Sequence, residues 1–251
     1  MPQSGMIPLF KSCYSIGKSI LTLEESSVEG GSDSIIELCQ QNQIKDLVLV
    51  EDSMTGFMKA FLSCKEANIN LIFGLRITCC NSISDENEKS DHKVIIFAKD
   101  DEGCKTLNRI SSFAAVEGNG KVDFNILNSM WNDSVEMAIP FYDSFIFNNN
   151  MTMSKCIPDF SKIKPTFFIE ENDLPFDQII KNSVESLCKD KYKTQLVKSI
   201  YYNKREDHEA LMTYKILCTR NFGKVATLDS PNLNHFGSKE FCLESYLEYE
   251  R

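Results

Sequence analysis

The segment Asp46-Leu-Val-Leu-Val-Glu-Asp-Ser-Met-Thr-Gly56 constrains the fold of this chain more than any other. Leu47 to Val50 is aliphatic with no polar alternation, the pattern of a strand buried on both faces. It stops at two adjacent carboxylates, Glu51 and Asp52, followed by a turn from Ser53 to Gly56. In α/β folds the C-terminal ends of strands collect functional residues. Glu51 and Asp52 are therefore either metal ligands or the cap of the helix that follows.

The pattern on either side repeats this unit. Strands are predicted at Ile7–Phe10, Ile69–Leu75, Val94–Ala98, Val135–Pro140, Phe145–Phe147, Pro165–Ile169 and Thr194–Tyr202. Helices are predicted from Ser34 to Asn42, with Ser34 and Glu37 as a capping box, and over Gly56–Ala67, Gly103–Phe113, Pro175–Leu187 and Glu206–Arg220. Ser12–Leu23 reads as a loop at the site, and Glu29–Asp33, Asn81–Asp91 and Asn148–Asn150 as connections. Strands alternating with helices over short connections give an α/β domain with parallel strands, in a barrel or an open sheet. With no repeat and no linker, one domain over residues 1–251 is expected.

Composition excludes several classes. A 42% hydrophobic content over 251 residues supports a large core. A net charge of −9 with dispersed basic residues argues against a dedicated nucleic-acid surface. The ten cysteines include no Cys-x-x-Cys pair, so reduced thiols and a cytoplasmic location are expected. Neither a signal peptide nor an apolar run of membrane-spanning length is visible.

Six stretches, in order, carry a resemblance. They are Tyr14-Ser-Ile-Gly-Lys-Ser19; Leu47–Gly56; Phe57–Gly74; His92–Gly103 with Leu107-Asn108; Glu206–Ala210; and Asp229-Ser-Pro-Asn232 with Glu240-Phe241. Together they resemble the PHP (polymerase and histidinol phosphatase) domain of bacterial DNA polymerase III alpha subunits. The resemblance implies a distorted seven-stranded β/α barrel of TIM-like type, with a trinuclear metal site at the C-terminal strand ends.

Aligned on those stretches, the ligand positions of the PHP pattern have changed chemistry. The His-x-His pair falls on Leu9 and Lys11, the Asp-His pair within Val50–Asp52, a Glu on Arg76, and the final Asp-x-His on Ser199 and Tyr201. His92 matches a His, and Asp143 is a further candidate ligand. With three His in the whole chain, His92, His208 and His235, the resemblance implies a degenerate site without metal. Lys11, Glu51, Asp52 and Arg76 would form an ion-pair cluster there, or else are ordinary surface charges. The alternative is a metal-dependent phosphoesterase, a 3′–5′ exonuclease or pyrophosphatase, holding Mn, Zn or Mg on Glu51, Asp52, His92 and Asp143. Packing is expected for Cys79-Cys80, exposure for His208, a loop for His235, and weak phosphate contact for Lys204-Arg205.

The resemblance implies a structural and docking module in DNA replication. Its partners would be the polymerase core or a proofreading exonuclease subunit, with DNA engaged only indirectly and no membrane involved. A chain of this length leaves no room for polymerase catalytic subdomains, and the Asn-rich, Lys-rich composition would suit a phage or other mobile element. Whether it is one piece of a longer polymerase or a stand-alone relative stays open.

Overall fold

The computed structural model describes residues 5–26, 30–85, 90–153, 155–189, 191–218 and 237–249. Eight strands form one sheet: β1 (Ile7–Phe10), β2 (Asp46–Glu51), β3 (Asn70–Cys80), β4 (His92–Ala98), β5 (Lys121–Asp123), β6 (Val135–Ile139), β7 (Thr166–Ile169) and β8 (Lys193–Ile200). Their order is β2-β1-β8-β7-β6-β4-β3-β5, and a further β2–β3 pairing closes seven of them into a barrel. The short β5 lies outside the ring, paired to the last residues of β3. The result is an α/β barrel of distorted TIM-like form, as the resemblance implies.

One expectation is corrected. The strands are not all parallel: β4 runs antiparallel to both β3 and β6. Successive strands β3 and β4 are therefore antiparallel neighbours, with no return of the chain to the far end of the barrel required between them. The N-terminal end of β4 sits beside the C-terminal end of β3, with His92 opposite Cys79.

The helices are α1 (Ile35–Gln41), α2 (Phe57–Ala67), α3 (Asp101–Val116), α4 (Phe124–Met130), α5 (Phe145–Met151), α6 (Asp177–Cys188), α7 (His208–Cys218) and α8 (Leu243–Tyr249). Side-chain caps start several of them. Asp100 accepts from the Gly103 amide at 2.9 Å, Asp123 from Ile126 at 2.9 Å and Ser144 from Phe147 at 3.2 Å. The Ser144 cap explains a second correction. Phe145–Phe147 is not a strand and Asn148–Asn150 is not a loop; both belong to α5. Three consecutive apolar residues fit a buried helix face as well as a strand, and the cap decides. Sequence reading also ended β3 at Leu75, five residues early, and missed β5, α4 and α8.

Strand pleating sorts side chains into two cores. Ile7, Leu9, Val48, Val50, Ile95 and Phe168 belong to the small cluster inside the barrel. Phe10, Leu47, Leu49, Leu75, Ile96 and Phe167 belong to the larger cluster between barrel and helices. No described helix is long and apolar enough to cross a membrane.

Candidate functional site

The site is the barrel mouth at the C-terminal ends of the parallel strands. Continuing the inward parity of β1, β2 and β3 by one step brings Lys11, Asp52 and Arg76 over Leu9, Val50 and Gly74. They form an ion-pair chain. Lys11 Nζ lies 2.9 Å from Asp52 Oδ1, Arg76 Nη1 lies 3.5 Å from the same oxygen, and Arg76 Nη2 lies 2.6 Å from Asp143 Oδ2. The Lys11 side chain is 5% exposed and that of Arg76 15%. Burial would raise the Asp52 carboxyl, but Lys11 and Arg76 outweigh it and hold it at about 2. Burial lowers the Lys11 ammonium, which Asp52 only partly offsets. For Arg76 the opposite holds: Asp52 and Asp143 overcome burial and raise its pKa.

Glu51 is one residue away and points elsewhere. Odd-numbered β2 residues face the outer core, so its carboxylate turns to the loop after β1. There it accepts from the Ser12 amide at 2.9 Å and from the Ser15 hydroxyl, while Ser15 Oγ accepts from the Asp52 amide at 2.9 Å. Burial raises the Glu51 pKa, and Lys11 and Ser12 offset it only in part. Glu51 thus clamps the Ser12–Leu23 loop; among the described residues it makes no direct ion pair with Lys11 or Arg76.

His92 is also on the wrong face. Its ring stacks on Phe124 at 6.0 Å and meets Phe145 edge-on at 6.0 Å, in the outer core. It is 2% exposed, and neither ring nitrogen has a hydrogen-bond partner among the described residues. Burial lowers its pKa to about 4. The residue that β4 sends toward the mouth is its neighbour Lys93, which sequence reading passed over. Its Nζ donates to Thr78 Oγ1, and its amide donates to the Asp143 carbonyl at 2.7 Å. The latter bond holds Asp143 in a left-handed conformation with φ of 59°, over the rim and against Arg76.

Glu170 is the second missed residue, although it ends β7 as Glu51 and Asp52 end β2. It is buried, accepting from Ser199 Oγ at 2.8 Å, Ser199 N at 3.2 Å and Asn172 Nδ2 at 3.1 Å. Asn172 also donates to Tyr142, whose hydroxyl donates to Asp177 Oδ1 at 2.8 Å. Burial raises the Glu170 pKa against the Ser199 hydrogen bonds. Lys11, Arg76, Asp143, Glu170, Ser199 and Tyr201 line one cavity of 60 Å³ with Leu9 at its side, room for a few waters. Tyr201 stacks on Phe241 at 5.5 Å.

The remaining candidates lie away from the mouth or outside the described residues. Cys79 and Cys80 are packed in the interior. His208 is half-buried against Tyr202, not exposed. Arg205 is engaged by Glu240 and Glu248, both at ion-pair distance, so it is not an open phosphate contact. His235 and Asp229–Asn232 lie outside the described residues.

Comparison with known proteins points the same way as the fold. No family profile matches the chain. A stretch of 77 residues is 31% identical to DNA polymerase III subunit alpha of Mycoplasma genitalium, covering 31% of this chain and 8% of that polymerase. The match and the closed barrel are in keeping with the resemblance drawn from the sequence, and the chain spans less than a tenth of that polymerase in the match. A crystal structure of a candidate metal-dependent phosphoesterase from Bifidobacterium adolescentis aligns at 14% identity over 43% of this chain and 34% of its own. Its TM-score is 0.27.

The resemblance to PHP domains implies a metal centre, and these residues do not fit one. A Lys ammonium sits 2.9 Å from Asp52, where a cation would have to bind. Glu51 and His92 face outward, so the set Glu51, Asp52, His92 and Asp143 does not converge. Among the described residues no three His, Cys, Asp or Glu side chains come together as ligands.

Proposed function

We propose that this chain is a PHP-like domain of a DNA polymerase III alpha-type protein that works without metal, is inactive as a phosphoesterase, and acts as a structural and docking module in DNA replication. The observation that carries this reading is the Lys11–Asp52–Arg76–Asp143 chain. It supplies internal cations where metal-bound water would have to form. The natural partners are the rest of the polymerase and a proofreading exonuclease subunit, in the cytoplasm, with DNA met only through them.

The test is incubation of the pure protein with Mn²⁺, Zn²⁺ or Mg²⁺ and an end-labelled single strand. The expected result is no metal-dependent hydrolysis. Hydrolysis that appears with metal and disappears in Asp52→Asn would overturn the proposal in favour of an active phosphoesterase. Docking is checked separately, by co-purification with a polymerase core or exonuclease subunit.

A further inference from the structure

The outer layer carries an apolar ridge on α2. This helix closes on the barrel through Ala60 and Cys64, with Phe57 packed on Phe73 at a centroid distance of 5.1 Å. Met58 and Leu62, four residues apart, fall one above the other on the opposite, outward side. They are 59% and 50% exposed, and Phe61 beside them is 46% exposed. Three large apolar side chains so close on one helix make a patch, unlike the scattered single residues of an ordinary surface.

Beside the ridge runs a groove. Because β4 reverses after β3, no helix among the described residues comes between α2 and α3 in the chain. Leu71, Phe73 and Ala98 line a groove of 330 Å³ there, with Phe57 and Phe61 on one side and the first turn of α3 on the other. Ridge and groove side by side suit a two-fold contact, in which the ridge of each copy enters the groove of the other. A lone partner helix laid in the groove would leave Met58 and Leu62 in water.

The charges of α2 favour the same occupant. Lys59 and Glu66 stand along one edge of the ridge, about 10 Å apart along the axis. Lys59 reaches Glu24 at 2.5 Å, whereas Glu66 has no ion-pair partner among the described residues. In an antiparallel pair of α2 helices, a two-fold axis near Leu62 sets Lys59 of each copy opposite Glu66 of the other. A parallel pair would set like charges together.

We propose that this chain pairs with a second copy of itself through α2, antiparallel about a two-fold axis. Met58, Phe61 and Leu62 are the anchors, and Lys59 with Glu66 forms the reciprocal rim pairs. A standard stable interface covers about 800 Å² on each partner. An 11-residue helix is only about 16 Å long, so the dimer is weak, dissociating at about 10–500 µM. The contact uses no residue of the mouth and does not rest on the docking role proposed above.

The experiment is sedimentation velocity on the full chain from about 5 µM to about 1 mM. A reversible monomer–dimer equilibrium is expected within that range. Leu62→Glu should weaken it about tenfold or more while thermal unfolding stays as in wild type. Lys59→Glu should weaken it about threefold, and adding Glu66→Lys should restore it, because the reversed charges again meet as opposites. A chain that stays monomeric to about 1 mM overturns the proposal, as does a dimer indifferent to Leu62→Glu or a Lys59→Glu deficit that Glu66→Lys deepens. A monomer that instead holds a polymerase core or exonuclease subunit, and loses it in Leu62→Glu, gives the face to that partner and equally overturns the proposal. If Leu62→Glu does not fold, Met58→Glu carries the same comparison.

Discussion

Replacing Lys11 with Met tests the ion-pair chain directly. The change keeps most of the buried volume and removes the ammonium 2.9 Å from Asp52. Breaking a buried pair costs about 3–5 kcal/mol when a charge is stranded. Here Asp52 is 32% exposed, Arg76 remains 3.5 Å away, and the burial cost of the ammonium is lifted. The expected loss at pH 7 is therefore about 1–2 kcal/mol. A carboxyl lowered from 3.8 to about 2 corresponds to roughly 2 kcal/mol before solvent screening, the same order. Because the folded pKa of Asp52 is depressed, its contribution is present above about pH 4 and is lost as pH falls toward 2. The deficit of Lys11→Met should shrink over that window. The assay is urea unfolding of wild type, Lys11→Met, Asp52→Asn and the double variant. Asp52→Asn alone strands Lys11, so the double should be less destabilised than the sum of the singles by about 1 kcal/mol or more. Singles that add within about 0.5 kcal/mol would refute the reasoning, showing that the two side chains are neighbours without coupling.

His92 stays neutral in an aromatic slot, so the unfolded chain takes up its proton first as pH falls from 6.5 to about 4, and stability should decline by about 2–3 kcal/mol across that range. His92→Leu should remove this pH dependence while costing little at pH 8, as read by thermal unfolding across pH. A Cβ at Gly103 would lie 2.2 Å from the Ser134 carbonyl oxygen, a backbone atom that cannot swing away, so Gly103→Ala should cost about 1–3 kcal/mol in a urea melt. Tyr142→Phe removes the hydroxyl that donates to Asp177 Oδ1 and accepts from Asn172, and should cost about 1–2 kcal/mol, most readily seen as a lowered urea midpoint.

Most of the barrel was readable because aliphatic runs mark strands buried on both faces. Leu47–Val50 and Val94–Ala98 both lie where that pattern puts them. What periodicity could not supply was direction and facing. Nothing in Val94–Ala98 says that the strand runs against its neighbours. Facing follows from parity, and a shift of one residue exchanges the two sides. That step separates Asp52 from Glu51, and Lys93 from His92. Adjacent residues that look equivalent as letters thus have opposite surroundings. Phe145–Phe147 failed for another reason, since three apolar residues have no distinguishable period until the Ser144 cap is recognised. Glu170 had the same signal as Glu51-Asp52, a carboxylate at a strand end, and could have been included on that ground.

The reversed strand also decides where this barrel can vary. In a purely parallel barrel, each loop at the mouth must lead into a helix that returns the chain to the far end. The link from Cys80 to His92 escapes that duty, since both of its ends already stand at the mouth. Residues can be added there at a small entropic cost, about 0.6 kcal/mol per doubling of loop length, without displacing any helix of the outer layer. The rim beside Arg76 and Lys93 is thus the stretch of the mouth whose shape can drift most freely while the barrel stays closed.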